Sequence, residues 1–436
     1  MIVVFLRLAA ARTFVAALVL CASVAALRAQ GAPRADPFPF GGAPLRVSVL
    51  TFGPGDAVFE RFGHNAIRIQ DTASGIDLAY NWGMFSFDEP QFLRRFLSGD
   101  NRYWVQAFPS TWLIEAYAGQ DREVTEQVLA LTVEQRSALA ALVVQNALPE
   151  NKYYRYDYYR DNCSTRVRDA IDTVLGGSLE RRFSVTTTPW SYRSESVRLT
   201  TPAGLAQAGI ELALGPHADV PMTAWQAMFI PMRLRDYLRD VRVPGADGVT
   251  IPFVAGEEVL YKARRAPEPP ERHGLTLAAW GPILGAWMLL LAPISAGARA
   301  RTRVPAAVMS IAWYGATGVV GLLILGMWIG SAHVFWYDNL NLLLVSPLGL
   351  VAAVPVARAI LRGASSSLAR WCIIAILAQG ALALCLAPLG IQRLVGPLML
   401  LLPAHVGLAV AYWRHMRTAP VEPPTPTAAN AAVRAA

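Results

Sequence analysis

The segment Tyr156-Asp157-Tyr158-Tyr159-Arg160-Asp161-Asn162-Cys163-Ser164-Thr165 decides how the first half of the chain is interpreted. Apolar residues recur at helical spacing after it, which predicts a helix that begins at Cys163 and is capped by Asp161 or Asn162. Unpaired backbone N–H groups in the first turn of a helix favour the thiolate form of a cysteine. A small buried thiol is the alternative, but the polar neighbours favour a nucleophile.

A histidine suited to work with this cysteine lies 99 residues earlier, in Arg61-Phe62-Gly63-His64-Asn65. His64 begins an alternating segment that predicts a β-strand, and a second alternating segment, Ile76–Trp82, follows a turn at 71–75. An imidazole beside a thiol can accept its proton and return it to a leaving group. A hydrogen-bonded structural histidine is the alternative. The other histidine of this half, His217, resembles a loop residue, so His64 is the predicted base.

A third side chain is expected to orient the imidazole, as an Asn or Asp does in thiol proteases. If the predicted hairpin turns near residue 73, His64 lies opposite Asn81 or Trp82, and Asn81 is the predicted partner. Asp77 and Asp71, nearer the turn, are alternatives. The register of the hairpin decides among the three residues, because a one-residue slip reverses the face of every side chain.

Residues around the pair suggest a substrate site. Tyr156, Arg160 and Asn162 flank Cys163 and are predicted to contact the substrate. The many aromatic residues before the cysteine fit an apolar-walled groove with phenol donors, although ordinary core packing explains many of them equally well. No Cys/His spacing resembles a zinc site, and no metal or cofactor is predicted.

The second half of the chain is predicted to span a membrane. Of the 436 residues, 54% are hydrophobic. Five apolar runs of bilayer-crossing length lie at 275–296, 304–330, 339–357, 370–388 and 392–413. Arginines cluster after the first, third and fifth runs, so the positive-inside rule places these loops and the C-terminus in the cytoplasm. The net charge of +8 partly reflects these clusters, and the other basic residues are scattered, which argues against nucleic-acid binding.

The N-terminus supports the same topology, because residues 1–29 resemble a signal peptide or an uncleaved anchor. The chain therefore divides into six predicted parts: the signal peptide or anchor (1–29), a linker (30–44), an exported domain (45–265), a second linker (266–274), five membrane helices (275–413) and a disordered cytoplasmic tail (414–436).

One loop of the membrane half, Ser331–Asn339, is rich in polar and aromatic residues and lies on the same side as the exported domain. Its polar groups are predicted either to bind a lipid head group or to dock that domain. Ordinary interfacial anchoring explains Trp336 and Tyr337 equally well.

Several stretches of the sequence resemble the Lnb N-terminal periplasmic domain family, and the resemblance extends from about 45 to 413. They are Arg61–Ile69, Tyr80–Phe85, Pro90–Phe92, Phe96–Gly99, Asp161–Arg166, Gly215–Asp219, Phe229–Pro231, His333–Leu343 and Ser346–Leu348. The resemblance implies an α+β domain with a permuted papain-like fold, histidine before cysteine, followed by an all-α bundle of five transmembrane helices.

The same resemblance implies a role in the N-acylation of bacterial lipoproteins. It carries the catalytic pair onto His64 and Cys163 and a loop histidine onto His333, with Asn339 beside it as a further predicted substrate contact. Val334 stands where the resemblance leads us to expect a proline, so the inference is looser for this loop than for the pair.

These observations predict a thiol acyltransferase of the bacterial inner membrane, with its site in the periplasm and its C-terminus in the cytoplasm. Cys163 would take an acyl chain from a membrane phospholipid as a thioester and pass it to the N-terminus of a lipoprotein. A membrane-tethered cysteine peptidase or amidase acting on cell-wall peptide is the alternative, and a binding module with a decayed pair is a third.

Overall fold

The computed structural model describes residues 39–40, 44–86, 90–201, 204–245, 247–270, 280–295 and 303–418. The predicted signal peptide or anchor, most of the first linker, part of the second linker and the tail from 419 onward lie outside the described residues.

The N-terminal domain is built on a seven-stranded antiparallel sheet with the order β11-β5-β1-β2-β3-β4-β6. Its strands are β1 (Leu45–Phe52), β2 (His64–Asp71), β3 (Ile76–Met84), β4 (Arg102–Pro109), β5 (Val124–Leu129), β6 (Tyr153–Arg155) and β11 (Val254–Tyr261). Two short sheets pair β7 (Thr187–Ser191) with β8 (Pro221–Thr223), and β9 (Arg242–Pro244) with β10 (Thr250–Pro252). The two strands predicted from alternation, β2 and β3, are confirmed to within two residues.

Helices cover both faces of the large sheet. They are α1 (Phe92–Ser98), α2 (Ser110–Gly119), α3 (Val133–Ala147), α4 (Cys163–Val174), α5 (Ser178–Phe183), α6 (Tyr192–Thr200), α7 (Leu205–Ala213), α8 (Ala224–Ala227) and α9 (Pro231–Arg239). Apolar residues of α3, α4 and α9 form the main core with one face of β1 and β2. A second cluster joins the other face to α2. The Thr132 side chain caps α3, and the predicted start of α4 at Cys163 is confirmed.

The register of the β2–β3 hairpin differs from the predicted one. Asp71 pairs with Ile76, so the turn contains four residues. When the same register is continued to the end of the hairpin away from the turn, His64 lies opposite Gly83. The prediction of Asn81 or Trp82 in that place was wrong. The longer turn is fixed by the Gly75 N–H, which donates to Asp71 O at 2.9 Å, and by a left-handed φ of +75° at Gly75.

The C-terminal region is helical, so an α+β domain followed by a membrane domain is confirmed. Its helices are α10 (Trp280–Ser295), α11 (Val304–Gly330), α12 (Leu348–Arg362), α13 (Ser367–Leu386) and α14 (Val395–Thr418). Among the described residues, four segments are long and apolar enough to cross a bilayer, namely Val304–Gly330, Val334–Arg362, Ser367–Leu389 and Val395–Arg414, and Trp280–Leu291 is a shorter apolar helix.

The third candidate span, Val334–Arg362, contains the predicted run 339–357. Its α-helix begins at Leu348, after short 3-10 helices at Val334–Trp336 and Leu340–Leu343, and the Asn339 and Asn341 side chains bind carbonyls of the N-terminal domain. The last helix continues to Thr418, so residues 414–418 are helical rather than part of the tail.

Candidate active site

Cys163 and His64 border the same small space at one end of the sheet. Cys163 is the first residue of α4, and His64 is the first residue of β2. A Cβ added to Gly83 would lie 3.5 Å from Cys163 Cβ and 3.8 Å from His64 Cε1. Gly83 has a φ of +93° and sits at an irregularity between Trp82 and Met84. Glycine at this position therefore adds no side chain to the space beside Cys163 and His64.

Asn81 fixes the tautomer of the imidazole. His64 Nε2 donates a hydrogen bond to Asn81 Oδ1, and Asn81 Nδ2 lies 3.3 Å from Met84 Sδ, an arrangement that assigns the amide orientation. Because the amide oxygen can only accept, Nε2 carries the proton and Nδ1 keeps a lone pair. Asn81 lies two residues before Gly83, and its amide contacts the ring although the register differs from the predicted one.

The two alternatives to Asn81 have other partners. Asp77 binds Arg68, with Nε to Oδ1 at 2.9 Å and Nη2 to Oδ2 at 2.5 Å. Asp71 Oδ1 accepts hydrogen bonds from the N–H groups of Ala73 and Ser74 in the hairpin turn. Neither carboxylate is therefore the orienting group.

Both members of the pair are neutral near pH 7. Burial raises the pKa of Cys163 to about 11, although the backbone N–H groups of Asn65, Ser164 and Cys163 itself act in the opposite direction. Burial also lowers the pKa of His64 to about 4, with the Asn81 hydrogen bond opposing this shift and the charge of Arg122 adding to it. The helix start was expected to lower the pKa of Cys163, but the pKa is raised, because lost hydration outweighs the N–H groups at the helix start.

The far side of the imidazole is packed by residues that no sequence pattern marked. The Tyr117 ring stacks on His64 with centroids 5.8 Å apart, and Phe52 stacks on Tyr117 at 3.9 Å. The Arg122 guanidinium lies 4.6 Å from the Tyr117 centroid, and its Nε donates to Gly53 O at 2.9 Å. These contacts hold the ring in place and keep a fixed positive charge near the pair.

Tyr154 is a further residue of this site. Its Oη would lie 4.0 Å from the same added Cβ at Gly83. It is buried and has no hydrogen-bond partner among the residues that the structure describes. The Arg166 guanidinium sits 4.4 Å from the Tyr154 centroid, and its Nη2 donates to Asp161 Oδ2 at 2.7 Å. Burial raises the pKa of Tyr154 well above its usual value, so the phenol keeps its proton as a donor.

An unpaired buried hydroxyl costs about 1–3 kcal/mol, so its position requires an explanation. The partner that this geometry suggests is an oxygen of a substrate bound between sulfur and imidazole. The density of tyrosines before Cys163 was the signal available in the sequence, and it did not single out Tyr154.

The three residues predicted to contact substrate beside the thiol have different surroundings. Tyr156 stacks on Tyr103 with centroids 4.1 Å apart, and burial together with the nearby Cys163 raises the pKa of its phenol. Arg160 is exposed, and its guanidinium lies 4.7 Å from the centroid of Phe335 in the C-terminal domain. Tyr156 therefore belongs to the surroundings of the pair, and Arg160 belongs to a contact between domains.

Asn162 has a structural position instead. Its Oδ1 accepts hydrogen bonds from Ser164 N and Thr165 N, each at 2.9 Å, and caps α4. Its Nδ2 donates to Tyr158 O and Phe229 O at 3.1 and 2.9 Å. All four hydrogen-bonding positions of the amide are used, so the structure leaves none for a substrate.

The loop after α11 docks against the N-terminal domain, which was one of its two predicted roles. His333 Nε2 donates to Phe96 O at 2.7 Å, and the ring stacks on Tyr158 at 5.7 Å. Trp336 Nε1 donates to Tyr158 Oη at 3.1 Å, and Phe335 is buried in an aromatic cluster of that domain. His333 is buried in this contact.

Asn339 completes the same contact. Its Nδ2 donates to Leu212 O and Ala213 O, both at 2.8 Å, and its Oδ1 accepts from Asn341 N and Gln392 Nε2 at 3.0 and 3.1 Å. These bonds fasten the end of α7 to the membrane helices. The structure therefore places His333 and Asn339 in a domain contact, with their ring Nε2 and amide groups already bound to protein.

The fold and the site define a membrane protein whose α+β domain carries a neutral Cys–His pair and an orienting Asn. Within the described ranges, no group of three or more His, Cys, Asp or Glu side chains is arranged to hold a metal ion. The family model of the Lnb N-terminal periplasmic domain matches residues 43–197, and that of the Lnb transmembrane domain matches 276–416. The chain belongs to the Lnb family. No curated protein and no solved structure gives a match.

Proposed function

We propose that this protein is an acyltransferase that moves an acyl chain from a membrane phospholipid to the N-terminus of a bacterial lipoprotein. The observation that supports this most directly is the juxtaposition of Cys163, His64 and Asn81 in a domain that is fastened to membrane helices. A bilayer-embedded donor and a lipid-anchored acceptor both lie within reach of a site held at the membrane, and this raises their effective concentration.

In the first step, Cys163 Sγ attacks the ester carbonyl of the phospholipid while its proton moves to His64 Nδ1. Burial disfavours a free thiolate and imidazolium, so proton transfer and attack are coupled. The carbonyl oxygen becomes an oxyanion, and the backbone N–H of Cys163 at the start of α4 is a donor for it. When the tetrahedral intermediate collapses, the C–O bond breaks, and the lysolipid oxygen takes the proton from Nδ1. A thioester remains on Cys163.

In the second step, the α-amine of the lipoprotein attacks the thioester carbonyl and gives a proton to Nδ1. The C–S bond then breaks, and sulfur recovers this proton from the imidazolium as the amide forms. The Nε2–H bond to Asn81 keeps the same ring nitrogen available for both transfers.

Intact mass spectrometry of the full chain in phospholipid nanodiscs tests the proposal. We expect a mass increase equal to one acyl chain on Cys163 that neutral hydroxylamine removes. We further expect that a peptide with a lipid-modified N-terminal cysteine removes it and gains an amide-linked chain. Cys163→Ala should lack the adduct, and Cys372→Ala, which changes a buried thiol of α13, should keep it.

Absence of the adduct in the unaltered chain would contradict the acyltransferase proposal. Release of amino groups from cell-wall peptide by the same preparation would then favour the peptidase or amidase. If the preparation carries out neither reaction, the third alternative, a binding module with a decayed pair, is favoured.

A further inference from the structure

Large apolar side chains are exposed at one edge of the N-terminal domain. Phe96 and Leu97 of α1 are 42% and 43% exposed, and Val58 and Phe59 are 40% and 58% exposed. The two pairs belong to one surface, because Phe85 lies between them, 5.7 Å from Phe59 and 6.1 Å from Phe92 in centroid distance. We call Val58, Phe59, Phe96 and Leu97 the apolar rim.

The apolar rim adjoins the end of a membrane helix. The N–H of Ala332 donates to Ser98 O, the last residue of α1, at 3.0 Å, and a Cβ on Gly99 would lie 3.3 Å from Ala332. Ala332 follows α11, a candidate membrane span that ends at Gly330, by two residues. The end of α1 therefore lies beside the end of this candidate span, where a bilayer around the span would have its surface.

The composition of α1 fits this level of the bilayer. Its sequence is Phe-Leu-Arg-Arg-Phe-Leu-Ser, and Arg94 is exposed close to the apolar side chains. Aromatic and aliphatic groups beside an arginine are typical of segments that lie at the boundary between head groups and acyl chains. Exposure of the same apolar groups to water would be unfavourable by about 25 cal/mol per Å².

A continuous series of aromatic rings connects the apolar rim to the catalytic pair. Successive centroids are 4.1 to 6.4 Å apart along the series Phe96, Phe92, Phe85, Tyr103, Tyr156 and Tyr154. The last member borders the space between Cys163 and His64. The series therefore forms a continuous, partly exposed aromatic surface from the end of a membrane helix to the neighbourhood of the thiol.

We propose that the apolar rim inserts into the outer surface of the bilayer, and that bilayer phospholipids enter there with their acyl chains along the aromatic series. The entry route rests on the proposed acyl transfer, whereas insertion of the rim does not. The occupant of the rim is therefore the lipid of the membrane that the chain spans.

Spin-label depth measurements test the insertion without using activity. The full chain, with its four native cysteines replaced by serine, carries a label at Leu97→Cys in nanodiscs of phosphatidylethanolamine and phosphatidylglycerol. We expect more frequent collisions with oxygen, which partitions into lipid, than with a water-soluble nickel chelate. Val133→Cys is the matched control, because Val133 is 58% exposed at the opposite end of the sheet. A label at Leu97→Cys that is as accessible to nickel as the control label would overturn the proposal.

Two acyl donors test the entry route. We expect Phe96→Ser with Leu97→Ser to slow acylation of Cys163 by bilayer phospholipid by about tenfold or more, because the rim loses apolar area. Acylation by a water-soluble short-chain thioester should stay within about twofold, because the pair is unchanged. Equal loss with both donors would contradict the route. If the unaltered chain accepts neither donor, the proposed function fails, while the depth measurement still decides the insertion.

Discussion

Two regions, the surroundings of Cys163 and the loop 331–346, contain similar polar side chains. They differ in whether the protein supplies a hydrogen-bond partner for each of these side chains. Asn339 in the loop uses both amide hydrogens and accepts two further bonds, all with protein groups. His333 gives its Nε2 proton to a backbone carbonyl of the other domain. Near the thiol, Tyr154 Oη is buried with no partner among the described residues, beside the pair that can react.

This difference separates two uses of buried polar groups. A polar side chain whose partners are all supplied by the protein fixes the position of one element against another. A buried donor that the protein leaves unpaired, and that borders a nucleophile and a base, can bind a reacting atom when substrate arrives. Residue type alone does not distinguish the two cases. Asn162, next to Cys163, has a structural role just as Asn339 in the loop does.

The largest expected difference between the two regions is that between their histidines. His64→Ala should slow acylation of Cys163 by about 10³-fold, because no group then accepts the thiol proton. His333→Ala should change acylation by a soluble thioester by less than about threefold, because it alters only the docking contact. Time-resolved intact mass spectrometry measures both rates. Similar losses in the two variants would remove the distinction drawn between the regions.

The next largest effect is expected at the unpaired phenol. Tyr154→Phe should slow acylation by about 10²-fold, because the oxyanion loses a donor. Its melting temperature should stay the same or rise, because the hydroxyl that is removed has no protein partner. Tyr153→Phe, on the same strand with its ring 39% exposed, is the matched control and should leave both quantities unchanged. A lowered melting temperature with little change in rate would give Tyr154 a structural role instead.

The parts of the fold that sequence predicts well are those set by local pattern. Strands β2 and β3 follow from alternation, and α4 follows from its helical spacing and the cap at Asn162. Asn81 was placed against His64, and its amide contacts the ring although the predicted register was wrong.

The remainder depends on contacts between distant segments. Tyr154 reaches the thiol only because β6 pairs with β4 at the edge of the sheet, and Arg122 and Tyr117 reach His64 from another part of the chain. The pKa of Cys163 follows the total burial of the site, which no local pattern records, so the helix start alone predicted the wrong direction. The roles of His333 and Asn339 likewise depend on which carbonyls lie across the domain contact.

The pH dependence of acylation separates coupled proton transfer from a resting thiolate. Below a pKa of about 4 His64 is protonated and cannot accept the thiol proton, so the rate should fall only as pH drops toward 4. A free imidazole would lose activity near pH 6.5 instead. On the alkaline side, alkylation of Cys163 by iodoacetamide should rise about tenfold per pH unit until its pKa of about 11. Rapid alkylation at pH 7 would show a thiolate and contradict the neutral pair.

The smallest effect on chemistry is expected at Asn339. Asn339→Ala leaves the Leu212 and Ala213 carbonyls without their donor. Each carbonyl left without a partner costs about 1–3 kcal/mol of stability. The melting temperature of the full chain should therefore fall. Asn151→Ala, which removes one exposed hydrogen bond, is the matched control and should change it little. Acylation by a soluble thioester should stay within about threefold in both. If Asn339→Ala instead abolished this reaction in folded protein, the loop would take part in chemistry, and the contrast between the regions would be lost.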